Sequence, residues 1–315
     1  MPNQLDQLKT MTTVVADTGD FESISAYKPQ DATTNPSLIL KAVQDEKYLQ
    51  LAKETVAWAK QKADGDDMIT LAVDKLSVVF GSKLMQVVPG VVSTEVDARL
   101  SFDIDAMVSK ARQIIKLYDE LGADSSRVLI KLAASWEGIQ AAKILEADGI
   151  KTNITLLFAF AQARAAAEVN AYLISPFVGR ILDWHKANDA TQDYSGANDP
   201  GVQSVTKIFD YFKTHNYKTI VMGASFRNIS EIQELAGCDR LTISPGLLDE
   251  LANNNEPLPQ KLIATTEHAT PPAALTEAEF RWQLNEDRMA TEKLSDGIRA
   301  FARDQEKLEK LLAEL

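Results

Sequence analysis

Eight short runs able to form strands alternate with stretches of helical periodicity along almost the whole chain, and no other feature constrains the fold as strongly. The runs are TTVVAD (12–17), ATTN (32–35), VVSTEV (91–96), VLIKLA (128–133), TNITLLF (152–158), YLISPFV (172–178), TIVMGAS (219–225) and RLTISP (240–245). Alternation of this kind builds a parallel sheet, because each return to the same sheet needs a crossover connection that is usually a helix. Eight units predict an α/β fold, a closed (β/α)8 TIM barrel, with its chemistry at the C-terminal ends of the strands. No repeat, low-complexity tract or linker divides the chain, so residues 1–315 read as one domain.

The longest interval, between the second and third runs, carries two helical patterns, EKYLQLAKETVAWAKQKA and DDMITLAVDKLSVVFGSKLMQV. In the second, Ile69, Ala72, Val73, Leu76, Val79 and Phe80 recur at three- and four-residue spacing, which favours helix over strand. After the eighth run the chain becomes charged and helical, predicting a C-terminal helical extension from about 275 to 315 packed on the barrel. The apolar stripe Ile298, Phe301, Leu308, Leu311 and Leu312 in that extension suits either closure against the barrel or a homodimer interface, and closure is the commoner use of such a stripe.

Composition removes several function classes. No apolar run approaches the roughly 20 residues that span a bilayer, and the start MPNQLDQLKTM lacks the basic and apolar regions of a signal peptide, so the cytoplasm is the expected compartment. A single cysteine, Cys238, excludes an internal disulfide and a multi-cysteine metal site, and His185, His215 and His268 form no ligand pair in sequence, so no metal is expected. A net charge of −12 argues against nucleic acid or anionic membrane as a partner. An anionic substrate would therefore need local arginines or helix N-termini.

Within VLIKL, both side-chain parities are apolar: Val128, Ile130 and Leu132 on one face, Leu129 and Ala133 beside Lys131 on the other. A strand apolar on both faces is normally buried in a parallel sheet, and lysine is among the residues least often buried. Other polar residues gather at the same level. The C-terminal parts of the runs contribute Asp17, Thr33 with Asn35, Ser93 with Glu95, Asn153 with Thr155, Ser175 and Ser225, each named pair two apart and so on one strand face. Singly, each has a plain structural use: Asp17 as a turn residue, Asn35 before Pro36 as a helix cap, Lys131 as half of a buried ion pair. Together they place an amine between two carboxylates at one barrel mouth.

Burial disfavours the ammonium form of a lysine and frees an amine that attacks carbonyls. The protonated imine so formed is an electron sink for breaking a carbon–carbon bond, so no cofactor is needed. Forming and hydrolysing it requires proton transfer, suited to one carboxylate acting through a water held by Thr155, while the other carboxylate takes the proton from the hydroxyl beyond the breaking bond.

DATTNPSLI (31–39), VVPGVVSTEVDARLSFD (87–103), VLIKLAASWEGIQAAKIL (128–145), NITLLFAFAQA (153–163), LISPFVGRILDW (173–184) and VMGASFRN (221–228), in that order, resemble the motifs of the transaldolase family. The resemblance implies a class I aldolase-type barrel that moves a dihydroxyacetone unit between sugar phosphates in the pentose phosphate route. It makes Lys131 the imine former, Glu95 with Thr155 and a water the acid/base pair, and Asp17 the proton carrier at the C4 hydroxyl. Asn35, Asn153 and Ser175 would hold the dihydroxyacetone hydroxyls beside Thr33 and Phe177, while Arg180, Arg227 and Ser225 would grip the phosphate. The alternatives are a fructose 6-phosphate aldolase, which lacks the Glu95 carboxylate and the Phe177 ring, and a noncatalytic sugar-phosphate-binding barrel, which has no use for the buried lysine. The resemblance also suggests a homodimer. One departure stands out: relatives read PGRVSTEV where this chain reads PGVVSTEV, so Val91 is expected to alter packing at the start of the third strand rather than chemistry.

Overall fold

All eight expected strands form, and they hydrogen-bond in chain order into a closed parallel barrel in the computed structural model, which describes residues 2–315. The strands are β1 (Thr13–Asp17), β2 (Asp31–Thr33), β3 (Val92–Glu95), β4 (Val128–Ala133), β5 (Thr152–Leu157), β6 (Leu173–Pro176), β7 (Ile220–Gly223) and β8 (Arg240–Ile243), with β8 closing on β1. Among the described residues thirteen helices surround them. A short α1 (Gln4–Lys9) precedes β1; α2 (Pro36–Val43), α3 (Glu46–Ala59) and α4 (Gly65–Val87) follow β2; α5 (Ile104–Glu120) follows β3 and α6 (Trp136–Ala147) follows β4. Then come α7 (Phe160–Glu168) after β5, α8 (Val178–Asn188) and α9 (Pro200–Thr214) after β6, α10 (Ile229–Glu234) after β7, and α11 (Pro245–Ala252), α12 (Glu277–Glu286) and α13 (Arg288–Ala313) after β8.

Strand parity divides the apolar residues between two cores. Val14, Ile130, Ile154, Ile174, Val221 and Leu241 face outward and pack against the surrounding helices. Val15, Leu129, Leu173 and Met222 face inward and form a small plug inside the barrel, with Val91 packed against it. Val91 thus sits at a packing position, as the sequence implies. Lys131 shares the parity of Leu129 and so points into the barrel, one layer above the plug.

Three sequence readings need correction. The run 32–35 overshoots the strand: β2 ends at Thr33, and Asn35 is the N-cap of α2, its side chain accepting from the Leu38 amide with Pro36 in the first turn. An Asn followed by Pro is a strong helix start, so Thr33 and Asn35 do not alternate on one strand. The interval after β2 holds three helices rather than two patterns; α2 escaped notice because its eight residues give little more than two turns of periodicity. Phe177 and Ser225, expected at strand ends, lie just beyond β6 and β7, where Phe177 and Ala224 make a single parallel bridge. No described helix is long and apolar enough to cross a membrane.

The C-terminal extension closes on the barrel. Leu294, Ile298 and Phe301 of α13 pack with Phe158, Phe177 and Ile181, and Leu308 and Leu312 join the apolar faces of α2, α3 and α4. Ser37 donates to Asp304 at 2.5 Å, and Arg99 pairs with Glu309, fixing the helix at two further points.

Close packing behind β3 yields a stability test. The Tyr118 hydroxyl of α5 hydrogen-bonds Thr94 of β3 at 2.5 Å, and a Cβ added at Gly81 of α4 would fall 1.7 Å from that hydroxyl. Gly81→Ala should therefore dislodge the ring and lower unfolding stability by about 1–3 kcal/mol, measured from the urea midpoint. An unchanged midpoint would mean that α4 moves aside freely.

Candidate active site

Register sets the polar layer. Glu95 of β3 pairs with Lys131 of β4, which pairs with Asn153 of β5, so three neighbouring strands deliver these side chains at one height. On the other side Asp17 of β1 pairs with Thr33 of β2, and Thr33 with Ser93 of β3. Lys131 is 5% exposed; its Nζ lies 3.3 Å from Glu95 Oε2 and donates to the Thr34 carbonyl at 3.2 Å.

Hydrogen bonds lock the rest of the ring. Thr33 Oγ1 donates to Asp17 Oδ1 at 2.8 Å and lies 2.8 Å from Thr242 Oγ1. Asn153 donates from Nδ2 to Ser93 Oγ at 3.0 Å and accepts from Ser175 Oγ at 2.7 Å on Oδ1. With both ends of its amide used, Asn153 has a single orientation. Thr155 Oγ1 is buried and has no hydrogen-bond partner among the described residues. Asn35 spends its oxygen on the helix cap, which leaves its amide nitrogen for the cavity that it lines.

That cavity, about 80 Å³, opens above Met222 of the plug and is bounded by Asp17, Thr33, Asn35, Lys131, Thr155, Ser175, Phe177, Arg180, Ser225 and Thr242, with Phe301 of α13 at its side. Arg180 makes no hydrogen bond or ion pair among the described residues; its guanidinium lies over the rings of Phe177 at 5.0 Å and Phe301 at 5.5 Å. Its donors therefore remain available to an anion. Arg227 stands at the rim rather than in the cavity, forked onto Asp183 with its Nη2 2.7 Å from Oδ2, and donates to the Ser225 carbonyl at 3.1 Å. Ser225 adopts a left-handed φ of 62°, which a non-glycine residue rarely holds.

Electrostatics follow from this enclosure. Burial raises the carboxyls of both Asp17 and Glu95 above the ordinary carboxylate range, and the charge of Lys131 opposes that rise in each. An amine between two such carboxyls, with hydroxyl and amide groups around it and a free arginine above, suits imine chemistry on a phosphorylated ketose.

Thr242 and Phe301 also line the cavity, although the sequence reading gives neither a place in the site. Thr242 follows from the same parity rule, since it sits on β8 opposite Val15 of β1. Phe301 carries no signal beyond its place in an amphipathic stripe, because which ring of a C-terminal helix reaches a barrel mouth depends on how the helix docks.

The family profile described as transaldolase/fructose-6-phosphate aldolase matches residues 14–312. Among curated proteins, the transaldolase of Pseudoalteromonas atlantica (strain T6c / ATCC BAA-1087) is 62% identical over 313 residues, covering 99% of each chain. That of Shewanella loihica (strain ATCC BAA-1088 / PV-4) is 61% identical over 317 residues, covering 100% of this chain and 99% of its own. That of Alteromonas mediterranea is 60% identical over 315 residues with the same coverage.

Removing the cation tests the electrostatic reading. Without Lys131, nothing of similar strength counters the burial of Asp17 and Glu95, so both hold their protons to higher pH in the folded state. A raised carboxyl contributes its stability below the unfolded value and loses it as pH rises through the folded one. Lys131→Met should thus cost about 3 kcal/mol or more near neutral pH, and the deficit should shrink toward pH 5 in urea denaturation run across that range. A deficit independent of pH would mean that the carboxyls do not feel the lysine.

Proposed function

The chain belongs to the transaldolase/fructose-6-phosphate aldolase family, and on that premise we propose that it is the transferase of the two. It moves a dihydroxyacetone unit from sedoheptulose 7-phosphate to glyceraldehyde 3-phosphate, giving erythrose 4-phosphate and fructose 6-phosphate, through an imine on Lys131. The observation that carries this reading is Lys131 itself, an amine buried in the barrel wall 3.3 Å from Glu95 and facing Asp17.

In the forward reaction Lys131 passes a proton to Glu95 and its amine adds to the ketose C2 carbonyl. Loss of water, with Glu95 supplying and removing protons through a water beside Thr155, gives the protonated imine. Asp17 takes the proton of the C4 hydroxyl, the C3–C4 bond breaks, and its electron pair moves toward the imine nitrogen. The aldose leaves and an enamine stays on Lys131. Attack of the enamine carbon on the acceptor aldehyde forms the new bond, Asp17 returns its proton to the new hydroxyl, and hydrolysis frees the product. The hydrogen-bonded pair of Asn153 and Ser175, with the amide nitrogen of Asn35, is disposed to hold the dihydroxyacetone hydroxyls, and Thr33 orients Asp17. Arg180, free of internal ion pairs, together with Ser225 and Arg227 supplies the phosphate grip.

Transfer rather than release of free dihydroxyacetone fits Phe177, which sets a ring instead of a proton donor on the cavity wall. We read the enzyme as a single-domain, cytoplasmic protein. The family resemblance supports a homodimer, which would pair through a face other than the α13 stripe, since that stripe is consumed within the chain.

Fructose 6-phosphate alone should give at most about one equivalent of glyceraldehyde 3-phosphate per active site and then stall, because each site is left holding one enamine. Adding erythrose 4-phosphate should restore steady turnover to sedoheptulose 7-phosphate, followed by a coupled assay. Continuous release of dihydroxyacetone without acceptor, at a rate comparable to transfer, would make the protein an aldolase.

A further inference from the structure

Behind the rim arginine lies a pair of buried acids that the chemistry at Lys131 does not use. Glu231, in the first turn of α10, and Asp199, the N-cap of α9, are each 2% exposed. Glu231 Oε2 accepts the Arg227 amide at 2.5 Å. Asp199 Oδ1 accepts the amides of Gly201 at 2.7 Å and Val202 at 3.3 Å. Both residues line one cleft, each carboxyl perturbs the other, and among the described residues no donor reaches the buried Glu231 Oε1. Two carboxylates only accept; a hydrogen bond between them requires that one carry a proton.

The pair joins the segments that hold the proposed phosphate ligands. The Val178 and Gly179 amides, next to Arg180, donate to the carbonyls of Ala224 and Ser225. Gly201, two residues past Asp199 in the first turn of α9, approaches so closely that an added Cβ would lie 2.3 Å from the Val178 carbonyl oxygen, and one added at Gly179 would lie 2.3 Å from that of Ser225. Arg180, Ser225 and Arg227 thus share a packed unit, and Asp199 and Glu231 lie together on the cleft at its outer side.

We propose that Glu231 is a positioning residue for the phosphate grip, donating one shared proton from Oε1 to Asp199 while its Oε2 fixes the Arg227 backbone. The inference rests on the reading that Arg180 and Arg227 hold phosphate. Burial, reinforced by the Asp199 charge, pushes Glu231 up to about 7, while the Arg227 amide pulls the other way; Asp199 is raised as well, chiefly by burial. The charged groups around the pair do not neutralise it. Lys186 of α8 faces Asp199 across a cleft of about 510 Å³, where Asp193 and Tyr194 also lie. Asp193 is held by Ser195, the Arg227 guanidinium is turned to Asp183, and Glu234 on the next turn of α10 pairs with Lys261. A raised carboxyl gives its stability at low pH and loses it as pH climbs through the folded value, so the tie is intact below about 7 and opens above it, where two adjacent carboxylates repel.

Glu231→Gln reproduces the protonated form permanently, an amide N–H replacing the acid O–H toward Asp199 and the amide oxygen accepting from Arg227. The test follows KM and kcat for fructose 6-phosphate and for unphosphorylated fructose from pH 6 to 9. In the unmodified enzyme, KM for the phosphorylated sugar should rise roughly three- to tenfold relative to that for fructose across this range, and in Glu231→Gln it should stay at the low-pH value. Glu231→Ala should show the raised KM at every pH. A Glu231→Gln variant that follows the unmodified curve, or an unmodified enzyme without the rise, overturns the shared proton even if the Ala variant does not fold. Arg227→Ala separates the two readings: it should raise KM for the phosphorylated sugar alone, and if it does not, the phosphate grip itself fails and this inference with it.

Discussion

An ammonium group inside a barrel wall is stable only where opposite charge and hydrogen-bond acceptors surround it, since the cost of desolvating an isolated ion runs to several kcal/mol. Lys131 has Glu95 at 3.3 Å, the Thr34 carbonyl at 3.2 Å and Asp17 facing it. Much of the architecture is legible as the means of meeting that requirement. The register between β3, β4 and β5 brings Glu95, Lys131 and Asn153 to one level, the plug of Val15, Leu129, Leu173 and Met222 seals the layer below, and α13 with Phe301 covers the side. The same arrangement suits the proposed chemistry: proton exchange among an amine and two elevated carboxyls is what imine formation and cleavage need.

On a chain of net charge −12, the two arginines proposed to grip the phosphate are held in place in different ways. Arg180 is held by two aromatic faces rather than by a carboxylate, so its guanidinium keeps its donors. Arg227 is instead engaged by Asp183 through its side chain and by Glu231 through its backbone. One arginine is positioned by packing, the other by polar contacts to its side chain and its backbone.

Local pattern sufficed wherever a side chain's placement follows strand parity. Lys131 reads as inward because Leu129 and Ala133 share its face, and Asn153, Thr155, Ser175 and Glu95 fall into place by the same alternation. Parity failed at Asn35, where a helix cap overrides the strand, and it stops being informative at Phe177 and Ser225, which lie past the last strand residue. Phe301 and the pair of Glu231 with Asp199 were out of reach for another reason: their positions depend on how α13, α9 and α10 dock, and no short-range periodicity encodes docking. Thr242 obeys the parity rule, since it pairs with the inward-facing Val15.

The central claim, that Lys131 is the amine that forms the imine, is tested most directly by trapping. Reduction with borohydride in the presence of fructose 6-phosphate, followed by peptide mass spectrometry, should find a reduced dihydroxyacetone unit on the peptide carrying Lys131 and on no other. A label on a different lysine, or no label under conditions that support turnover, would contradict the account.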